Sequence, residues 1–562
     1  MTASRWAIAL GLAAAIAFAL LASVRLTAQG PQYDELHQAV GAFTWVGAPP
    51  PSPFCLDFHG ICVLTTTYSA AIKTNLYGLV LRLSGRGFAL ADWRWLGILL
   101  VSASLPLFAA GAYPLLGRSE IALFFSLLLT DGSLLLFSRF DGGPVALAFL
   151  LRMAMIALWL HGEAENAPRP GNTFALGALV GLATFEKLSS WVLVLALAAM
   201  ILGDRRRRNR RHLSAALLGL TAGALPLILV NLGWLAHQGE LISLRNLRGD
   251  PGLSAPKFVS ELLKLGYGGR VRKLVLGISS PPRVEIGEAG LLATLLFLVL
   301  YGSLRWRGPA EANLRRARIA LAAFAAVGAG LWAMPRATRA HHWILATPFQ
   351  YLAIALALRA LPWRGTSGGR RIAGLALAVL ATLWLGLRLA ALGSLESALR
   401  HGSASEAWDP SLAELGQFAA RRPPGTLFVA TGWGVATQIL CFADGRPGRV
   451  VEPFWDERGL GTPEIAAAID GARTLYVVRL RGDTGVFPAT ARLERQIAAD
   501  SSWRGLLPEP DTSSWRAILL RKYVRATPEQ ESSGGTPSSL STPSKDSAKA
   551  PSAFAVPATG IR

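Results

Sequence analysis

Apolar stretches of about twenty residues recur along the first 395 positions. Each is long enough to cross a hydrocarbon core of roughly 30 Å. A chain patterned this way has to satisfy its backbone inside lipid, so it reads as a bundle of membrane-spanning helices. Composition agrees: 52% of residues are hydrophobic and 16% charged, against roughly 25% charged in an ordinary soluble domain. The expected spans are 6–28, 94–116, 119–138, 143–161, 172–186, 188–203, 213–235, 287–304, 318–335, 342–361 and 372–393, about eleven in all. The first of them lacks a small-residue cleavage site and is followed by many more, so it is expected to stay as a helix and not to be removed as a signal peptide.

The net charge of +21 looks at first like a nucleic-acid signal. Its distribution says otherwise. The basic residues cluster in short breaks between apolar runs, "GDRRRRNRRH" at 203–212, "RWRGPAEANLRRAR" at 305–318 and "PWRGTSGGRR" at 362–371. Short basic loops stay on the cytoplasmic side. With the N-terminus inside, all three fall there without forcing, and the segments 29–93, 138–144, 185–187, 236–286, 335–342 and everything after 394 are expected outside. No basic groove with interleaved aromatics is present, so no nucleic-acid partner is expected.

The outer boundary is where the unusual residues gather. Asp34 and Glu35 stand in "GPQYDELHQAV", just past the first span. The second half of the following segment, 49–85, is expected to form amphipathic helices lying against the membrane, with Tyr68, Tyr77 and Trp93 as interface residues. Lys73 lies in "YSAAIKTNLYG", Arg139 and Asp141 in "SRFDGGP", and Asp131 inside the preceding apolar run. Glu186 and Lys187 interrupt another run, and Arg336, Arg339, His341 and His342 fill a short outer turn. Ionisable groups near a span are costly and tend to face a partner or a polar cavity. Several on one side suggest a chamber near the outer leaflet holding both carboxylates and cations.

Such a chamber has a chemistry. A carboxylate base can take the proton of an acceptor hydroxyl, and cations can stabilise a departing phosphate. No HExxH occurs, adjacent histidines on a helix point apart, and no metal site is expected, although an assisting divalent cation is left open. No Walker A stretch is present.

The ordered set "YDELHQ", "YSAAIKTNLYGLVLRLSG", "TDGSLLLFSRFDGGPVAL", "GLATFEKLSSWVLVLAL" and "HHWILATPF" resembles the bacterial branch of the GT-C superfamily. More narrowly, it resembles the protein O-mannosyltransferase-like family that includes the lipid A aminoarabinose transferase. The resemblance covers roughly residues 1–395. It implies an inverting membrane glycosyltransferase that takes a sugar from a polyprenyl-phosphate donor. It further implies that Asp34 serves the catalytic centre, with Glu35 beside it in a supporting role. Lys73 would contact the donor phosphate, with Arg139 and Arg336 as further cations. A family aspartate would fall on Asp131 or Asp141. Lys187, His341 and His342 complete the candidate set. The acceptor would be a lipid, a glycan or a protein in the cell envelope, with the enzyme multi-pass in the bacterial inner membrane. The alternative is a transporter or flippase of lipid-linked or polar substrates, but no internal repeat of the kind transporters show is visible.

After residue 395 the texture changes. Runs at 425–430, 449–454 and 474–480 are β-rich and alternate with helix-like segments, which predicts a small external α/β domain over 396–525 with a largely parallel sheet. It would face the acceptor or close over the site. The Ser-, Pro- and Thr-rich residues 526–562 read as a disordered tail. Cys55 and Cys62 share the outer loop and are either a disulfide or a free pair.

Overall fold

The protein was examined as a computed structural model, which describes residues 3–51, 54–165, 168–244, 253–305, 311–334, 339–360, 368–446, 448–481, 490–499, 506–509 and 515–525. The chain divides into two compact units, Met1–Pro410 and Ser411–Arg562. The tail at 526–562 lies outside the described residues.

The first unit is helical. In chain order it comprises α1 (Ala3–Ala22), α2 (Tyr33–Val40), a three-stranded antiparallel sheet β1 (Leu56–Phe58), β2 (Ile61–Thr66) and β3 (Ser69–Ala70), then α3 (Ile72–Ser84) and α4 (Leu90–Ala112). There follow α5 (Arg118–Leu129), α6 (Gly132–Phe140), α7 (Ala146–Ala164), α8 (Pro170–Glu186), α9 (Leu193–Gly203) and α10 (Arg210–Gln238). The unit closes with α11 (Ala255–Lys264), α12 (Gly269–Leu276), α13 (Pro282–Arg305), α14 (Glu311–Ala333), α15 (Ala340–Trp343), α16 (Phe349–Ala360) and α17 (Gly369–Arg400).

Among the described residues, 8 helices are long and apolar enough to cross a membrane, and the bent pair α5–α6 makes up to 9. The two remaining expected spans are occupied by the 17-residue α8 and by the shorter apolar helix Leu188–Gly203. Every span read from the sequence therefore has a helix in its place. The bend of 62° between α5 and α6 has a visible cause. Asp131 stands at the break in an extended conformation and caps α6 by accepting from the Leu134 backbone N–H at 2.8 Å. A carboxylate inside an apolar run is thus spent on starting a new helix.

Close packing of α8 on α10 rests on paired glycines. A side chain at Gly177 or Gly181 would strike the backbone of Ala216 or Leu220, and one at Gly219 or Gly223 would strike that of Phe174 or Ala178. Small residues four apart on both helices let the backbones touch, which replaces the hydrophobic drive that lipid cannot supply. The numbers rise together along both helices, so α8 and α10 run parallel. The rest of α10 is largely exposed, as a lipid-facing helix would be.

In the first loop the second half of 49–85 carries a helix as expected, α3, with Leu76, Leu79, Val80 and Leu83 exposed. The segment before α3 is a small sheet and not a helix, because "ICVLTTTYS" is rich in β-branched residues. Cys55 and Cys62 are joined by a disulfide that staples its first hairpin. Tyr77 and Trp93 are not at a membrane surface either: both are buried and pack edge-to-face, ring centroids 5.3 Å apart. Tyr68 alone of the three is exposed.

The second unit contains α18 (Ser411–Ala420), β4 (Thr426–Ala430), α19 (Ala436–Phe442), β5 (Val450–Val451), α20 (Pro463–Asp470), β6 (Thr474–Leu480), α21 (Thr490–Ala499), β7 (Leu506–Glu509) and β8 (Ile518–Arg525). Its five-stranded sheet has the order β5-β4-β6-β8-β7. The expected strands pair in parallel, but β8 runs antiparallel to both β6 and β7. The sheet is therefore mixed, with an antiparallel edge that the sequence reading lacked. Apolar layers cover both faces, one around Phe428, Tyr476 and Ile439 and the other around Leu427, Leu475 and Leu493.

Candidate active site

The short helix α2 sorts the acidic pair. Its entry is fixed by Gln32, whose side chain accepts from the Asp34 backbone N–H at 2.6 Å while Glu35 reaches back to the Gln32 N–H. On a helix, residues three and four apart share a face and immediate neighbours do not. Asp34, His37 and Gln38 accordingly look one way and Glu35 another.

Glu35 is fully buried against Arg94 of α4, with Oε1 2.6 Å from Nε and Oε2 2.9 Å from Nη2. The same guanidinium donates to the carbonyls of Leu26, Gln29 and Gly30 at 2.7 to 3.0 Å. Arg94 thereby ties the chain leaving α1 to the start of α2. Glu35 is not among the residues lining the cavity, and its carboxylate is taken up by Arg94. Asp34 is the one residue of α2 that is not buried, and it faces a cavity of about 730 Å³.

Besides Asp34, the polar lining includes His37, Ser69, Lys187, His341 and His342, and the apolar lining includes Leu188, Trp191, Leu244 and Met334. The backbone of Gly142, Gly143 and Pro144 forms one wall. Gly143 adopts φ +96°, and a Cβ there would stand 2.8 Å from Lys187 Nζ and 3.4 Å from the His341 ring. Only glycine lets the turn approach the ammonium this closely.

Behind that wall lies Asp141. It takes a left-handed conformation at the end of α6 and accepts from the Val145 and Ala146 backbone N–H groups at 2.7 and 3.0 Å, starting α7. Its other oxygen pairs with Lys73 Nζ at 2.8 Å, and its carbonyl accepts from Gln38 at 2.8 Å. Lys73 also stacks over the Trp93 ring at 3.8 Å. Lys73 is therefore buried and paired beside the cavity without lining it. Among the described residues, the lysine or arginine on the cavity wall is Lys187.

Burial pushes the Lys187 ammonium down to about 8, against the upward pull of Asp141, Asp34 and Glu186. Burial likewise lowers His37, with Asp34 opposing and Lys187 adding to the shift, so its imidazole is neutral at ordinary pH. Glu186 is fully buried and neither carboxylate oxygen has a hydrogen-bond partner.

The remaining candidates separate cleanly. Asp131 accepts from Tyr351 OH at 2.6 Å and lies 3.6 Å from Arg388, deep among helices and away from the cavity. Of the two aspartates left open by the sequence, Asp141 lies nearer the cavity, behind its Gly142–Pro144 wall. Arg139 donates to the carbonyls of Val24 and Arg25 and to Gln29 at 2.9 to 3.1 Å. It braces the end of the first span and is not among the residues lining the cavity. Arg336 lies outside the described residues. No group of three or more His, Cys, Asp and Glu among the described residues is arranged to hold a metal ion. Sequence reasoning missed His37, although its place three residues after Asp34 was the signal. It also missed Arg94, which reads as an ordinary charge at the start of a span.

No protein-family sequence profile matches the chain, and no curated protein matches it by sequence. Comparison with solved structures does find likeness. The crystal structure of ArnT from Cupriavidus metallidurans bound to undecaprenyl phosphate matches with a TM-score of 0.57 at 14% identity, covering 92% of this chain and 98% of that one. The same protein in the apo state matches with a TM-score of 0.59 at 13% identity, over 93% and 98% of the two chains. At such low identity the likeness speaks for architecture, and the architecture of this chain is similar to the membrane fold of ArnT.

Proposed function

We propose that the chain is an inverting glycosyltransferase that moves a sugar from a polyprenyl-phosphate donor to an envelope acceptor at the external face of the inner membrane. The observation that carries this reading is one cavity faced by both the Asp34 carboxylate and the Lys187 ammonium. ArnT, whose fold the chain shares, has been crystallised with undecaprenyl phosphate, a ligand of the class the reaction would release. In the proposed step Asp34 takes the proton of the acceptor hydroxyl. The hydroxyl oxygen then attacks the anomeric carbon, and the carbon–oxygen bond to phosphate breaks on the opposite face. The configuration inverts, and the electron pair leaves on polyprenyl phosphate, facing the Lys187 ammonium. No carboxylic acid need protonate a leaving group that departs as phosphate. The acceptor is a lipid, polysaccharide or protein, and the sugar a hexose or pentose.

The test is a transfer assay with the purified protein in nanodiscs, radiolabelled undecaprenyl-phosphate sugar and an envelope extract as acceptor. Label should leave the lipid and appear on acceptor with inverted configuration. Movement of intact lipid-linked sugar across the bilayer, with the sugar–phosphate bond unbroken, would instead identify a flippase.

The charge of Lys187 gives the activity a pH signature. A lysine whose ammonium is held near 8 is protonated below that pH and neutral above it. We expect kcat/KM for the donor to fall about tenfold per pH unit above roughly pH 8, and Lys187→Arg to move that limb to higher pH because guanidinium stays charged. An identical alkaline limb in the arginine variant would remove Lys187 from the role.

Sidedness is testable separately. With the basic loop at 203–212 inside, a reporter fused after residue 400 should be active outside the cytoplasm. A fusion active only in the cytoplasm would turn the site to the other face.

A further inference from the structure

The end of the bundle opposite the cavity carries a second cluster of charges. It is separated from Lys187 by the 17 residues of α8, about 25 Å of helix. Here Glu163 of α7 meets Arg315 and Arg316 of α14, at 2.6 and 3.2 Å. Asp204, just after α9, meets Arg206 at 3.1 Å, and Arg206 also approaches Glu163 at 3.6 Å. With Arg207 added, four guanidinium groups share two carboxylates.

Arg207 is the one left short. Its side chain is fully buried, and its Nε is 3.4 Å from Asp204, yet none of its three guanidinium nitrogens has a hydrogen-bond acceptor. It lies against the bare backbone of Gly162 on α7. A methyl group there would stand 2.7 Å from Arg207 Nη2 and 3.7 Å from Asn172 Nδ2 of α8. Asn172 Nδ2 already donates to Glu165 Oε2 at 3.2 Å, so Arg207 is the donor left over beside this glycine, and the neighbouring Gly171 faces open space.

A guanidinium keeps its proton and presents five N–H donors in a planar fork. Buried without acceptors, it calls for an oxyanion with several lone pairs, and phosphate is the commonest group of that geometry. Arg205, Arg208, Arg210 and Arg211 are exposed around the same turn and would concentrate anions there. At the end of a membrane bundle the abundant anion is the lipid headgroup, and basic pockets between spanning helices are suited to it. Inorganic phosphate shares the chemistry but lacks the acyl chains that would lie along the exposed surface of α10.

We propose that Arg207, between α7, α8 and the turn after α9, binds the phosphate of an anionic phospholipid from the leaflet at that end. The site is independent of the transfer reaction, and its failure would leave the proposed function untouched.

The experiment uses the full-length protein, delipidated in neutral detergent. Thermal unfolding and native mass spectrometry follow titration with phosphatidylglycerol, phosphatidylcholine or inorganic phosphate. Phosphatidylglycerol should bind and stabilise in preference to the other two. Arg207→Gln should weaken its binding about tenfold, the loss of one charged, forked contact. Arg205→Gln with Arg208→Gln, on the exposed fringe, should cost less. Arg207→Lys, which keeps the charge but not the fork, covers the case in which the glutamine variant fails to fold, and it too should bind more weakly. Equal phosphatidylglycerol binding by wild type and the Arg207 variants, no preference over phosphatidylcholine, or equal stabilisation by inorganic phosphate would each overturn the proposal.

Discussion

Replacing Asp34 with asparagine should lower sugar transfer at least about a hundredfold, the lower end for loss of a general base, while leaving the fold intact. The amide keeps the size of the carboxylate and its capacity to hydrogen-bond, but it cannot accept the acceptor's proton. Asp34 is the half-buried member of α2, and its side chain makes none of the ion pairs that hold the helix in place. Thermal stability should therefore change little, and binding of undecaprenyl phosphate should persist. A variant that transfers sugar at the wild-type rate would deprive the proposed mechanism of its base.

The opposite profile is expected one residue along. Arg94 and Glu35 form a fully buried pair, and removing one partner of such a pair typically costs about 3–5 kcal/mol because the other charge stays buried alone. Arg94→Met should fall in that range and also orphan three backbone carbonyls at the end of α1. Glu35→Met should be destabilising by a similar mechanism, and the double variant should be less unstable than the sum of the two. Activity per folded molecule should drop less in Glu35→Gln than in Asp34→Asn. Unfolding in detergent measures the first quantity, and transfer normalised to folded protein the second. If Glu35→Gln is dead when folded and Asp34→Asn is active, the two carboxylates have exchanged roles.

These contrasts show where sequence was informative. The spans were legible because bilayer thickness sets the length of each apolar run, and all have helices at their expected places. Asp34 was legible because it sits where lipid gives way to water. Which member of the pair faces the cavity was not, since that depends on the start of a two-turn helix and on Arg94 some 59 residues away. The cations show the same limit. Lys73 and Arg139 were both read as cations for a donor phosphate, but the fold brings Asp141 to Lys73 across 68 residues, and the end of the first span supplies acceptors to Arg139. Charge type is local information, but charge partnership is not. The small sheet in the first loop was a different failure, in which the β-branched run at 61–66 was present and no strand was read from it.

The parallel contact between α8 and α10 has a consequence for how the protein is made. Helices that cross the membrane in the same direction cannot be consecutive, so α9 must cross back before α10 exists to receive α8. During synthesis the glycines of α8 therefore face lipid or the insertion machinery until the chain is complete through Gly223. The piece of backbone that ends in Lys187 is thus set in its final place by residues translated after it, and the site is assembled later than the order of its own residues would suggest.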